Sequence, residues 1–229
     1  MKRYWIFGNS DGIGLAATEE LLQEGHDVRG FSRSESPLSN ANYRHECLDV
    51  LDPDYPQRLQ TKIQKEELPD VVLYCVGMWA PCRIKEMKYE SQVFKVNLLA
   101  AIQLLETIVP PMVQRQSGQI LVLSSVADEI FSPDNPAYAS SKAGLSRYVE
   151  SLAARVRKHH IFITNMRFGF VDTKLASAPV KPFEMSRKRA AKHVLKALRK
   201  KPIRYSTPWP MLFLVRCLHW SGRLKMFWK

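Results

Sequence analysis

Short apolar runs alternate with longer stretches of helical periodicity along most of this chain, and that alternation narrows the choice of fold most. Candidate strands fall at 4–7, 27–32, 43–48, 70–75, 119–124 and 161–168, and most of them are close to uniformly apolar. Candidate helices fill the intervals 12–24, 55–67, 89–116 and 135–158. Apolar strands that return through helices pair in parallel and need cover on both sides. The expectation is an α/β fold, a doubly wound parallel sheet with helices on both faces. No internal repeat or low-complexity linker divides the 229 residues, so a single domain is expected.

Composition excludes several classes. A hydrophobic share of 45% is enough to bury a core, which argues against wholesale disorder. Cys47, Cys75, Cys82 and Cys217 are scattered without a CxxC or His/Cys spacing, so reduced thiols and no structural metal are expected. The apolar run at the N-terminus is too short for a secretion signal. No stretch approaches the roughly 20 apolar residues that cross a bilayer. The net charge of +12 is concentrated late, with no Asp or Glu after Glu184.

The segment IFGNSDGIG (6–14) sets Gly8, Gly12 and Gly14 between the first strand and a helix striped with Ile13, Ala16, Ala17, Leu21 and Leu22. Glycines allow close backbone approach, and free N–H groups at a helix N-terminus attract phosphate. The spacing is GxxxGxG rather than GxGxxG, so alone it reads equally as a structural turn or a phosphate cradle.

A second group of residues adds chemistry. Tyr138 and Lys142 are four apart at the start of a helical period and share a face. Ser125 lies thirteen residues before Tyr138, just past a strand that ends where an open α/β sheet places its ligand. Asn97, in FKVNLLA, adds a fourth polar group. Taken singly, Ser125 is a strand-end cap, Asn97 a helix-interior hydrogen bond and the Tyr–Lys pair a solvated face. Together they make sense as a proton-transfer site. A phenol titrates near pH 10, and a neighbouring ammonium is expected to lower that value. On the residues alone, Ser124 stays open as the alternative to Ser125.

In this order the motifs resemble the short-chain dehydrogenase/reductase family, over about residues 3–175. The resemblance implies a Rossmann-like fold and reversible hydride transfer between NAD(P)(H) and a carbonyl or alcohol. Gly8, Asn9, Ser10, Asp11, Gly12, Ile13 and Gly14 fall on its cofactor turn, and Asp49 and Val50 on its adenine-contacting pair. Asn97, Ser125, Tyr138 and Lys142 fall on its catalytic tetrad, with Lys142 also on the nicotinamide ribose and Asn97 positioning a water. Gly169, Val171 and Thr173, in RFGFVDT, fall on the segment beside the nicotinamide carboxamide; Val76 and Gly77 follow the fourth strand.

Three departures stand out: Phe7 for a Thr, Tyr74-Cys75 for an Asn pair, and Phe168 for a Pro. The second removes side chains that commonly tie the central strand to its neighbours. Ser32 and Arg33 end the second strand where NAD-preferring members carry an acid, so a 2′-phosphate partner is expected. Asp11, where NADP-preferring members often carry a base, argues the other way. NADP(H) is the preferred expectation and NAD(H) the alternative.

By the same resemblance, 1–170 form the cofactor-binding and catalytic core and 172–200 a substrate lid and helix, whereas 202–229, a basic and aromatic extension, depart from the family's usual ending. A homodimer or homotetramer is implied, acting on a small carbonyl or alcohol, in the cytoplasm. The extension reads first as a helix packed on the fold or on a partner. Peripheral contact with the inner face of a membrane comes second, and nucleic acid is disfavoured. A competing class is a nucleotide-binding sensor or interaction protein that keeps the pocket without turnover.

Overall fold

The computed structural model describes residues 1–65, 68–82, 84, 87–175 and 180–217. Seven parallel strands form one sheet: β1 (Arg3–Phe7), β2 (Asp27–Ser32), β3 (Tyr43–Cys47), β4 (Val71–Tyr74), β5 (Gly118–Ser125), β6 (Ile161–Phe168) and β7 (Arg204–Thr207). Their order is β3-β2-β1-β4-β5-β6-β7. The winding direction reverses between β1 and β4, which opens a crevice at the carboxyl ends of those strands.

Both faces are covered, which is why β4, VVLY, is buried at every position. Its Val72 and Tyr74 join a core with α2 (Tyr55–Lys65), α4 (Ala100–Arg115) and α5 (Pro136–Val156). Val71 and Leu73 join a second core with α1 (Gly12–Gln23) and α6 (Arg187–Lys200). Phe7 fills the first core, stacked on Phe31 with centroids 4.7 Å apart. Hydrophobic alternation along each strand thus supplies two cores from one sheet.

One element differs from expectation in a way that matters. The predicted helix at 89–116 is α3 (Glu90–Phe94), a π-helical turn (Lys95–Leu99) and α4 in succession. This 26-residue stretch is long and apolar enough by length and composition to cross a bilayer, although its apolar residues are not consecutive. Half of its apolar window is buried, with Leu104, Leu105, Ile108 and Met112 in the sheet core, so it serves here as a core helix. The predicted ends of helix 55–67, of the lid and of the C-terminal extension fall partly on 66–67, 176–179 and 218–229, outside the described residues.

The base of the lid is closed by backbone pairing. Asp172 N donates to the Met185 carbonyl at 2.9 Å and Met185 N to the Phe170 carbonyl at 3.1 Å. Beyond β7, residues 209–217 are helical. Met211 and Val215 pack with Val126, and Trp209 and Phe213 are exposed.

Candidate active site

Loops from the carboxyl ends of β1, β4, β5 and β6 meet around a cavity of about 610 Å³. Ser125 and Tyr138 line it, as does Ile13 of the glycine turn, and Trp79, Phe170, Leu175, Met211 and Val215 make it apolar.

The glycine turn is tight for a steric reason. Gly8 has φ +80°, and a Cβ there would lie 3.0 Å from the backbone of Cys75 and Val76. A Cβ at Gly14 would lie 2.1 Å from the Gly8 carbonyl oxygen. A bare backbone is therefore required, at the head of a helix whose first-turn N–H groups have no intrahelical acceptor. At Gly12 a Cβ would lie 3.5 Å from Thr173, so the loop after β6 closes over the turn.

Asp11 caps α1, accepting from Gly12 N at 2.7 Å. It also pairs with Lys174 at 2.9 Å and Arg187 at 3.1 Å. The Lys174 hydrogen bond, then that of the Gly12 amide, hold its carboxyl below the usual range. The acid that argued against a 2′-phosphate thus draws two cations to the turn. Asn9 is turned into the protein, with Nδ2 donating to Tyr43 Oη at 2.5 Å while the side chain occupies the space above Gly30. Ser10 beside it is partly exposed.

Strand periodicity separates the two serines. Ser124 Oγ lies 2.8 Å from Ser146 Oγ in the interface with α5. The Ser125 hydroxyl accepts from Ala127 N at 3.1 Å, donates to the Phe168 carbonyl at 3.4 Å and shares the cavity wall with Tyr138. One helical turn on, Lys142 is 3% exposed and donates from Nζ to the Leu123 carbonyl at 3.1 Å. Burial lowers its ammonium to about 8, against the opposing pull of Asp128.

The expected direction for Tyr138 is corrected. Burial pushes its hydroxyl above the ordinary value, Asp128 adds to the rise, and the lowering comes from Ser125. Lys142 does not supply it, because its own charge is desolvated and directed at a backbone carbonyl.

Asn97 is fully buried in the π-helical turn, a distortion that often marks functional positions. Its Oδ1 accepts from Met78 N at 2.7 Å, and its Nδ2 donates to the Met78 carbonyl at 2.9 Å and to Ser141 Oγ at 3.1 Å. Both ends of the amide are engaged by protein groups, so it docks the segment after β4. The tie expected to be lost with Tyr74 is rebuilt by other means, since Tyr74 Oη donates to the Val96 carbonyl at 3.0 Å. A Cβ at Gly77 would lie 3.7 Å from Lys142 Nζ and 3.8 Å from Asn97 Oδ1, so these three positions converge.

The remaining expected contacts also lie at the carboxyl edge. Ser32 donates to the Ser34 carbonyl at 2.9 Å, and exposed Arg33 has no ion-pair or hydrogen-bond partner among the described residues. Asp49 accepts from Leu51 N at 3.0 Å and Val50 is buried in the core. Val76 packs against the same core, and Gly169 and Val171 line the cavity. Sequence reasoning missed Ser141, Met211 and Val215. Ser141 carried a signal, lying three residues after Tyr138 on one helix face.

The model of the family described as short chain dehydrogenase matches residues 2–182. The chain belongs to that family. It is an NAD(P)-dependent short-chain dehydrogenase/reductase. The 3-oxoacyl-[acyl-carrier-protein] reductase FabG of Escherichia coli (strain K12) is 28% identical over 183 residues, covering 76% of this chain and 75% of its own. A short-chain dehydrogenase from Sphingobium yanoikuyae in complex with NADPH superposes with TM-score 0.83 at 17% identity, over 99% of this chain and 95% of its own. A 4-hydroxyisoleucine dehydrogenase complexed with NADH superposes with TM-score 0.79 at 17% identity, over 90% and 96%.

The site residues of this short-chain dehydrogenase fit a nicotinamide dinucleotide. The Gly8–Gly14 turn leads into the head of α1, whose first-turn N–H groups would hold a pyrophosphate, and the absence of a side chain at Gly77 keeps open the space beside Lys142 and Asn97.

Proposed function

We propose that this short-chain dehydrogenase is an NADPH-dependent reductase, working in reverse as a dehydrogenase, on an apolar carbonyl or alcohol. One observation carries the reading: Ser125 and Tyr138 line the same cavity, which reaches the glycine turn at Ile13 and is walled largely by apolar side chains. The coenzyme supplies or accepts the hydride. Ser125 holds the substrate oxygen, and Tyr138 gives or takes its proton. Lys142 holds the nicotinamide ribose and favours the phenolate, a role that needs its ammonium drawn off the Leu123 carbonyl. Asn97 keeps Met78 and Gly77 in place beside it.

Arg33, unpaired among the described residues at the end of β2, supports NADP(H), with NAD(H) as the weaker alternative. Replacing Arg33 by Ala is expected to weaken NADPH binding by about tenfold or more, from loss of one charge-assisted contact, and to leave NADH within about twofold. Equal losses would remove the 2′-phosphate assignment.

The apolar wall, together with the 3-oxoacyl reductase activity that the FabG relative is named for, supports a carbonyl on an acyl-like chain as substrate. The chain works in the cytoplasm as a homodimer or homotetramer. Exposed Trp209 and Phe213 beside Arg216 support contact with an anionic membrane. Flotation of the full chain with anionic vesicles, abolished by Trp209→Ser with Phe213→Ser, tests that contact; flotation unchanged by the pair of substitutions sinks it. The central test is NADPH oxidation across ketones, aldehydes and acyl-chain carbonyls. Turnover lost in Tyr138→Phe is expected, and a screen without turnover for the native chain counts against the reading.

A further inference from the structure

β3 is one of the two edge strands, and its alternation puts Tyr43, His45 and Cys47 on one face with Arg44 and Glu46 on the other. The loop after β2 brings Glu35 against that face. One ligand atom each from Glu35, His45 and Cys47 lie within 4.8 Å of one another. The Cys47 thiol donates to Glu35 Oε1 at 3.2 Å. In a tetrahedral zinc site with bonds of about 2.0–2.3 Å, ligand atoms stand roughly 3.3–3.8 Å apart, so small side-chain rotations suffice.

We infer that Glu35, His45 and Cys47 form a binding site for a borderline-soft divalent cation, Zn²⁺ above all. Thiolate with imidazole selects Zn²⁺ over Mg²⁺ or Ca²⁺, which prefer all-oxygen sets.

The imidazole has a partner on each ring nitrogen, and with its proton on Nδ1 it leaves Nε2 to face a metal. His45 Nδ1 faces Tyr43 Oη at 3.1 Å, and Tyr43 is itself held by Asn9 at 2.5 Å. A ligating histidine commonly donates its second ring N–H to such a partner, which fixes its tautomer and orientation. Nε2 lies 3.1 Å from the Ser34 carbonyl, which can serve as a fourth, oxygen ligand. The metal takes the place of the thiol proton that now bridges Cys47 and Glu35, and one proton is released on binding. Glu46, on the other face of β3, is engaged by Arg58 and Lys62 and does not compete. Occupancy would cross-link the loop after β2 to the edge strand, next to Ser32 and Arg33.

The test uses the full, reduced chain with Zn²⁺ and with Co²⁺ as a spectroscopic probe. One equivalent of Co²⁺ should give a thiolate-to-cobalt charge-transfer band, and Zn²⁺ should displace it and raise Tm. Cys47→Ser should abolish the band and weaken Zn²⁺ binding at least about tenfold, and Glu35→Gln should weaken it less. Both residues are exposed, so neither substitution threatens folding. Cys82→Ser and Cys217→Ser should change nothing. Absence of the band in the native chain, or a band and affinity unchanged in Cys47→Ser, overturns the site. None of these readouts depends on turnover, so the outcome stands apart from the proposed activity.

Discussion

Arg167 and Asp128 pair at the carboxyl edge of the sheet with Nη2 2.5 Å from Oδ1, both side chains buried. The same guanidinium reaches Glu129 at 2.6 Å and Ser206 at 3.1 Å, and Asp128 accepts from Ser146 at 2.5 Å. The cluster ties β6, β7 and α5 to the turn that directly follows Ser125. Burial raises the proton affinity of Asp128, and the Arg167 hydrogen bond opposes it.

Arg167→Met strands the deeply buried Asp128 carboxylate, while Glu129 keeps Arg216. Removing one partner of a buried pair costs about 3–5 kcal/mol, whereas replacing the set with neutral groups is far milder. Urea unfolding should show that loss for Arg167→Met and partial recovery in Arg167→Met with Asp128→Asn. A single substitution with an unchanged midpoint would mean that the cluster does not stabilise the fold.

Lys142 makes stability depend on alkaline pH. Its folded value is about 8 against 10.5 for the exposed group. Between those values the unfolded chain keeps a proton that the folded chain has released, so this group's contribution makes stability rise with pH through that window. Lys142→Met should flatten that part of the curve, as read by urea midpoints at several pH values. Where the ammonium is needed for turnover, kcat/KM should fall above about pH 8.

Tyr138→Phe keeps the ring in the cavity wall and removes only the proton carrier. Turnover should drop by about 10²–10⁴-fold, with NADPH affinity nearly unchanged in a fluorescence titration. A loss smaller than about tenfold would move proton transfer to another group.

Gly30 and Asn9 interlock, because a Cβ at Gly30 would lie 1.9 Å from Asn9 Nδ2. Gly30→Ala should destabilise by roughly 1–3 kcal/mol through overpacking. Combining it with Asn9→Ala should cost less than the sum of the single changes, and a double-mutant cycle measures that coupling. Strict additivity would show that the two residues do not contend for the same space.

Much of the frame could be read from the chain because its signals are local. Uniformly apolar β4 marks a strand covered on both sides, and the glycine turn announces itself by spacing within seven residues. The ordered series Ser125, Tyr138 and Lys142 spans a strand end and one helical turn. The π-helical turn at Asn97 escaped, since FKVNLLA carries the same apolar period with or without the extra residue. The direction of the Tyr138 shift was misjudged because proximity along a helix says nothing about where an ammonium points.

What the sequence by itself determined was the order of strands and helices, the doubly wound class and the family, all written in patterns spanning a few residues each. Tertiary structure alone decided that Asp11 gathers Lys174 and Arg187, that Asn97 is spent on Met78 and Ser141, and that Met211 and Val215 wall the cavity. These are meetings of residues distant in sequence. Their distances, and the desolvation that sets the proton affinities of Lys142 and Asp128, exist only once the whole chain has packed.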